Sequence, residues 1–367
     1  MPGFESIDGL TVTETVARAL AAAGITTPTP VQAEAVGAVL AGRHVLLHSG
    51  TGTGKTLGYL LPVLQLLRAN DGHRAVVFAP GTELAMQTLR VADAVRDEAI
   101  TTAPAVATSS ARRQRDRLQR STRLVVGTPD RLVELFRTGK LRGTRIVVFD
   151  ELEVILTSPA TAFLDELLVR SEPKLQLVVA TATMGPRSVA FVDRWMPDAV
   201  RVQPAADPLR HDITHGVVRV PRGQGKEVAL ARFVEQRGCR RAIVFVNDPH
   251  QQSHLYRYLG QHRLSAVTVG REGTKAQRQQ SLDAFRRGDA RVLLTSDAVA
   301  RGLDVPDVPW VLHYDLPASA EAYVHRAGRT GRAGKSGASV VFVEDEGRGQ
   351  LHHLARELGI EFVPERR

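Results

Sequence analysis

The chain has 367 residues, 43% of them hydrophobic, enough to bury the cores of two or three domains. Its 48 Lys and Arg residues outnumber 39 Asp and Glu, and the formal net charge of +9 favours a polyanionic partner over an acidic substrate pocket. The lone Cys239 excludes an intramolecular disulfide and suits a reducing compartment; the histidines, His352 and His353 included, lack a Cys/His ligand pattern, so no metal beyond Mg²⁺ is expected. Residues 1–20 carry no hydrophobic signal core, and no apolar run approaches the ~18 residues of a spanning helix. A soluble, cytoplasmic, monomeric protein with no membrane contact is the expectation.

Two helical patterns, TETVARALAAAG and VQAEAVGAVLAG, flank the turn ITTPTP near the start of the chain. Gln32 falls in the first turn of the second, where a carboxamide can pair with an adenine edge as donor and acceptor together. RHVLLHSGTGTGKTL, residues 43–57, follows as strand, glycine loop and helix, and this order makes a phosphate site. Gly50, Gly52 and Gly54, with Thr51 and Thr53 between them, let successive N–H groups curl around an anion. Lys55 supplies a point charge to the β- and γ-phosphates, and the Thr56 hydroxyl can ligate Mg²⁺. Ser49 stands where the strict phosphate-loop pattern has its first glycine.

RAVVFAP reads as a second strand ending in Pro80, followed by the helix TELAMQTLRVADAV. TRIVVFDELEVIL is an apolar strand that delivers Asp150 and Glu151 at its C-terminal end, where open parallel sheets bind ligands. Beside a phosphate loop these acids are the metal and base candidates. LQLVVATAT gives one more strand, and the proline-bearing PAADPLRHD, residues 204–212, breaks the rhythm as a linker. RRAIVFVND, SAVTV, ARVLLTSD, PWVLHYD and ASVVFVED then start a second run, with helices between. The pattern predicts an α/β protein of two tandem domains, 1–205 and 212–367, joined by residues 206–211, each a mostly parallel sheet flanked by helices.

GITTPTPVQ with upstream Phe4 resembles the Q motif of DEAD-box RNA helicases, and residues 4–334 carry counterparts of nearly all the family's motifs in order. SGTGTGKT is close to the family's A-x-T-G-x-G-K-T, and DELE stands for D-E-A-D. The resemblance implies two RecA-like domains with ATP and RNA bound across a cleft. It also implies that Gln32 reads adenine, that Phe4 packs near the base, and that Asp304 contacts the ATP ribose. Asp150 would hold Mg²⁺ through water, and Glu151 would orient and deprotonate the attacking water. Glu153, Thr181, Thr183, His325 and Arg326 would couple hydrolysis to strand separation, while Arg329 and Arg332 of YVHRAGRTGRAG would reach the γ-phosphate. Pro80, Thr128, Arg131, Arg278 and Ser296 match positions that hold RNA.

The departures from the family fall on its RNA-facing motifs. Pro80-Gly81-Thr82 replaces P-T-R and loses an arginine, Ala107 and Thr108 take the place of a Gly-Gly turn, Asp130 replaces a glycine, and Lys275 replaces a glutamine. The expected activity is an ATP-dependent RNA helicase. The alternative is a nucleotide-gated RNA clamp without productive unwinding, and a DNA-translocating repair helicase fits the charge but not the Q-motif-like start.

Overall fold

The computed structural model describes residues 3–50, 53–107, 121–159, 161–170, 175–203, 213–270, 273–300, 308–331 and 336–365. The chain divides into two compact units, Met1–Ala206 and Asp207–Arg367. Residues 204–212, expected to contain the linker, lie outside the described residues.

In the first unit, seven strands form one sheet in the order β3-β4-β2-β5-β6-β1-β7. They are β1 (Val45–His48), β2 (Arg74–Phe78), β3 (Thr101–Ala105), β4 (Thr122–Gly127), β5 (Thr144–Asp150), β6 (Gln176–Thr181) and β7 (Val200–Val202). Every neighbouring pair is parallel. Helices therefore cover both faces, which is why the central strands read as unbroken apolar runs. Alternation still sorts their side chains. Val45, Leu47, Val77 and Val148 share a core with the helices that precede and follow β1, while Leu46, Val76, Val147 and Phe149 pack on the other face with Leu132 and Phe191.

Register sets the height of the functional loops. Asp150 pairs with Ala180, which pairs with Leu47, so β1, β6 and β5 end at one level of the sheet. The helices that matter here are α1 (Glu14–Ala22), α2 (Pro30–Leu40), α3 (Lys55–Ala69), α4 (Thr82–Val95) and α5 (Pro129–Arg137). Three of them, α3, α4 and α5, start just past the C-terminal ends of β1, β2 and β4.

The second unit repeats the plan with β8 (Ile213–Arg219), β9 (Ala242–Phe245), β10 (Ala266–Val269), β11 (Val292–Thr295), β12 (Trp310–His313), β13 (Gly337–Val343) and β14 (Val363–Pro364), in the order β10-β11-β9-β12-β13-β8-β14. Again all pairs are parallel. Each sheet has a proline in an outer strand. Ala105 accepts from Thr128 N and so faces β4, which turns Pro104 of β3 outward; Glu365 N donates to Val217, which turns Pro364 of β14 outward in the same way.

Candidate functional site

The phosphate loop is held from below by Gln32. Thr29 caps α2, and a capping box joins Thr29 N to Gln32 Oε1 at 2.9 Å and Gln32 N to Thr29 Oγ1 at 3.3 Å. The Gln32 Nε2 then donates to Gly54 O at 3.1 Å, and the Thr29 hydroxyl donates to Thr53 O at 2.8 Å. Gln32 is only 2% exposed. Gly54 adopts φ +89°, and a Cβ there would come within 2.3 Å of Gln32 Nε2, so both backbone and packing require glycine. Inside the loop Ser49 Oγ lies 2.7 Å from Thr53 Oγ1, and Lys55 Nζ donates to Ser49 O at 2.6 Å and Gly50 O at 2.8 Å. Lys55 opens α3 with Thr56 beside it. Burial draws the Lys55 pKa down, against the pull of Asp150. Phe4, expected to pack near the base, is buried in the core cluster that also holds Ile7 and Val16.

Asp150 ends β5 as a buried carboxylate that accepts from the Tyr59 hydroxyl at 2.8 Å. Burial first, and the neighbouring Glu151 second, push its pKa up to about 6, against the Tyr59 hydrogen bond and the Lys55 charge. Glu151 sits at φ 57°, a left-handed conformation that a glutamate adopts only at an energetic cost. Its N–H donates to Ala180 O at 2.8 Å, and its buried Oε2 has no hydrogen-bond partner among the described residues. Glu153 bonds the Thr181 hydroxyl, which also lies 2.6 Å from Thr183 O. The longer acid at 153 therefore meets the threonine on β6 directly.

The loop ends beyond β2 and β4 are less charged. Pro80 and Gly81 lead into α4, whose first residue is Thr82. Thr128 is the N-cap of α5, but its side chain makes no capping bond, and the exposed Asp130 sits in that helix's first turn, where its charge suits the dipole. Arg131 is paired with Glu134 on the same helix. Ala107 is exposed just after β3.

In the second unit Arg326 lies in the core, 1% exposed. Its Nε and Nη2 donate to both oxygens of Asp297 at 2.6 Å, its Nη1 donates to Asp315 O at 2.6 Å, and its guanidinium lies 4.9 Å from the Phe245 ring centroid. Nη1 also lies 3.3 Å from His313 Nδ1. Burial and then the Arg326 charge hold the His313 pKa well below the usual value. The imidazole is therefore neutral; facing a donor at Nδ1, it carries its proton on Nε2, 2.8 Å from Ser339 Oγ. Asn247 closes the network, its Nδ2 donating to Asp297 Oδ2 at 3.0 Å and its N–H to Asp315 Oδ2 at 2.7 Å. Arg329, half-buried, donates to Ala300 O at 3.0 Å, and His325 is buried beside Glu321. Arg278 and Ser296 line one cleft of this unit, and Arg278 donates to Gly273 O at 3.0 Å.

Residues 29–192 match the DEAD/DEAH box helicase family and residues 225–334 the helicase conserved C-terminal domain. The DEAD-box ATP-dependent RNA helicase CshC of Bacillus cereus is 32% identical over 93% of this chain and 88% of its own. This chain belongs to the DEAD-box ATP-dependent RNA helicase family. Eukaryotic initiation factor 4A of Caenorhabditis elegans is 29% identical, over 95% of this chain and 88% of that protein. Among solved structures, Dbp5 of S. cerevisiae bound to RNA and ADP BeF3 superposes with a TM-score of 0.85 at 26% identity, covering 100% of this chain and 96% of that one.

Several residues expected from the DEAD-box resemblance lie outside the described residues: Thr51, Gly52, Thr108, Asp304 and Arg332, as does the side chain of Lys275. Conversely, sequence reasoning missed Tyr59, Asn247 and Asp297. The signal for Tyr59 is its place one helical turn after Lys55, which aims both toward the sheet end. Asp297 and Asn247 sit in TSD and VND, right after apolar strands, as Asp150 does.

Proposed function

We propose that this DEAD-box protein hydrolyses ATP to separate short RNA duplexes or remodel RNA-protein complexes. The observation that carries the reading is the convergence of Lys55 and Thr56 with Asp150 and Glu151 at the ends of β1 and β5. Lys55 leaves its loop carbonyls for the β- and γ-phosphates, and the N-terminus of α3, which Lys55 opens, favours the same anion. Glu151, with a buried oxygen awaiting a donor, orients the attacking water and takes its proton. Arg329 and Arg332 stabilise charge developing on the γ-phosphate. From the first turn of α2, Gln32 offers adenine the amide hydrogen and the oxygen lone pair that its bonds to Gly54 O and Thr29 N leave over, and Asp304 contacts the ribose.

The donor set fits Mg²⁺, because a buried Asp150 whose pKa stands near 6 is a carboxylate short of positive charge. Thr56 and Asp150 would hold the ion, which when bound would neutralise phosphate charge and fix its geometry. DELE is the variant of the acidic motif, with Glu153 and the Thr181–Thr183 hydroxyls as the coupling element. His325 and Arg326 belong to the same coupling, Arg326 by fixing Asp297. RNA is held by Pro80, Thr128, Arg131, Arg278 and Ser296 through its backbone, with little sequence specificity. The domain limits 1–205 and 212–367, cytoplasmic location and a monomeric state complete the reading. Among the described residues no helix is long and apolar enough to cross a membrane.

An ATPase assay with and without single-stranded RNA tests the reading, with strong RNA stimulation expected. Equal stimulation by DNA would favour a DNA translocase. Stimulation without strand displacement on short RNA duplexes would favour a nucleotide-gated clamp, for which the uncharged Thr82 and acidic Asp130 speak.

A further inference from the structure

The second unit contains a polar cleft of ≈ 810 Å³. It opens past the C-terminal ends of the adjacent strands β10, β11 and β9, where Gly270, Ser296 and Asn247 lie in its wall. Parallel sheets bind ligands at that end. The lining is dominated by carboxamides and hydroxyls, among them Asn247, Gln252, Gln277 and Ser281. Arg278 and Asp297 are its charged members, and Asp297 is paired with Arg326.

Gln252 is the unusual member of this wall. It stands on the first turn of the helix Pro249–Gln261, fixed by Asp248, which caps His250 N and Gln251 N at 2.7 and 3.3 Å. It is 8% exposed, and its buried Nε2 has no hydrogen-bond partner among the described residues. A buried N–H donor is destabilising unless an acceptor arrives, so the position makes physical sense if a ligand supplies one. The absence of a side chain at Gly270 keeps the amide seated, since a Cβ there would stand 3.3 Å from Gln252 Oε1.

Resting on the RNA-helicase reading above, we propose that Gln252 is a specificity-determining residue for single-stranded RNA in this cleft, donating to an uncharged acceptor, a ribose hydroxyl or a base edge. A phosphate is the poorer partner, because its charge calls for cations and this wall offers chiefly neutral groups. A carboxamide, donor and acceptor at once, matches the ribose hydroxyl and the base edges in kind.

The test measures affinity of the full chain, with an ATP analogue, for a fluorescent single-stranded RNA decamer across a salt series. Wild type is compared with Gln252→Leu and with Arg278→Ala as the cation control. Gln252→Leu should weaken binding roughly three- to tenfold at every salt concentration while keeping the log–log salt slope. Arg278→Ala should flatten the slope by ~0.7. Repeating the titrations with DNA of the same sequence and with RNA homopolymers separates the two acceptors. A ribose contact narrows the preference for RNA over DNA, and a base contact changes the ranking of homopolymers. Thermal unfolding checks each variant, and Gln252→Met replaces Gln252→Leu if that variant does not fold. Unchanged affinity, a flattened slope, or a loss that leaves both preferences intact overturns the role of Gln252. If wild type binds no RNA, the helicase reading fails and this inference with it.

Discussion

Each unit buries a set of charged groups at the end of a parallel sheet, and the two sets are balanced in opposite ways. In the second unit Arg326 has both oxygens of Asp297, the Asp315 carbonyl and a neutral His313 around it, so nearly every donor is matched. In the first unit, among the described residues, Lys55 donates only to loop carbonyls and the buried Oε2 of Glu151 has no hydrogen-bond partner, while burial pushes the Asp150 pKa up to about 6. Matched burial makes scaffold, and unmatched burial stores free energy that a ligand can release. The comparison predicts that substitutions in the first set damage chemistry more than stability, and that those in the second do the reverse.

The largest effect belongs to the base. Glu151→Gln should lower turnover by about 10² to 10⁴ while ATP binding stays near normal, and Lys55→Ala should lose both. Steady-state ATPase and nucleotide titration check this, and wild-type turnover in a folded Glu151→Gln protein removes Glu151 from the mechanism. Next comes the scaffold: Arg326→Ala strands Asp297 and should cost about 3–5 kcal/mol of stability in urea unfolding. A loss under about 1 kcal/mol would mean that the network is not the support it resembles.

Asp150→Asn tests the unmatched side through pH. In Mg²⁺-free buffer the folded carboxyl titrates about 6, above its unfolded value of ~3.9, so its contribution is intact below about pH 4 and is lost as pH rises to 6. The asparagine variant should therefore be more stable than wild type by roughly 3 kcal/mol at pH 8 and no more stable at pH 3.5. Calorimetry at the two pH values decides, and equal stability at both sinks the account of Asp150. Gln32→Ala should narrow a preference for ATP over GTP worth ~1–3 kcal/mol, read from turnover at sub-saturating nucleotide. The smallest effect is at Thr82, where Thr82→Arg should steepen the RNA salt slope by ~0.7 and tighten binding. If it changes neither, the lost arginine explains no deficit.

Strands buried on both faces were legible because their apolar runs are too short for a buried helix and are rich in β-branched residues, as RAVVF and RIVVF show. Of the outlying strands SAVTV, the edge strand β10, was legible too, but others were not. TTAPA carries a proline, VRV has three residues, and ITHGVVR mixes His and Gly into a strand next to the sheet edge. In the site, residue types that contact a ligand announce themselves by motif, and Lys55, Thr56, Asp150 and Glu151 stand just past or at the C-terminal ends of β1 and β5, which flank β6. Partnership across the fold does not announce itself. Nothing in the sequence says that Tyr59 meets Asp150 across 91 positions, or that Gln32 underpins Gly54, because each pairing depends on register and helix docking. Arg326 was legible as an important arginine, but its bond to Asp297 appears only once β11 and the following turn are folded against it.

The outward prolines of β3 and β14 bear on how the molecule behaves when crowded. A sheet grows from one copy to the next when a bare rim offers alternating donors and acceptors to an incoming strand. At Pro104 and Pro364 the rim has no hydrogen to give, so a strand approaching there finds its register interrupted. An all-parallel sheet, slow to assemble because its partners lie far apart in sequence, exposes such rims for longer while it folds. The two prolines thus act before the native state exists, discouraging nascent chains from templating one another.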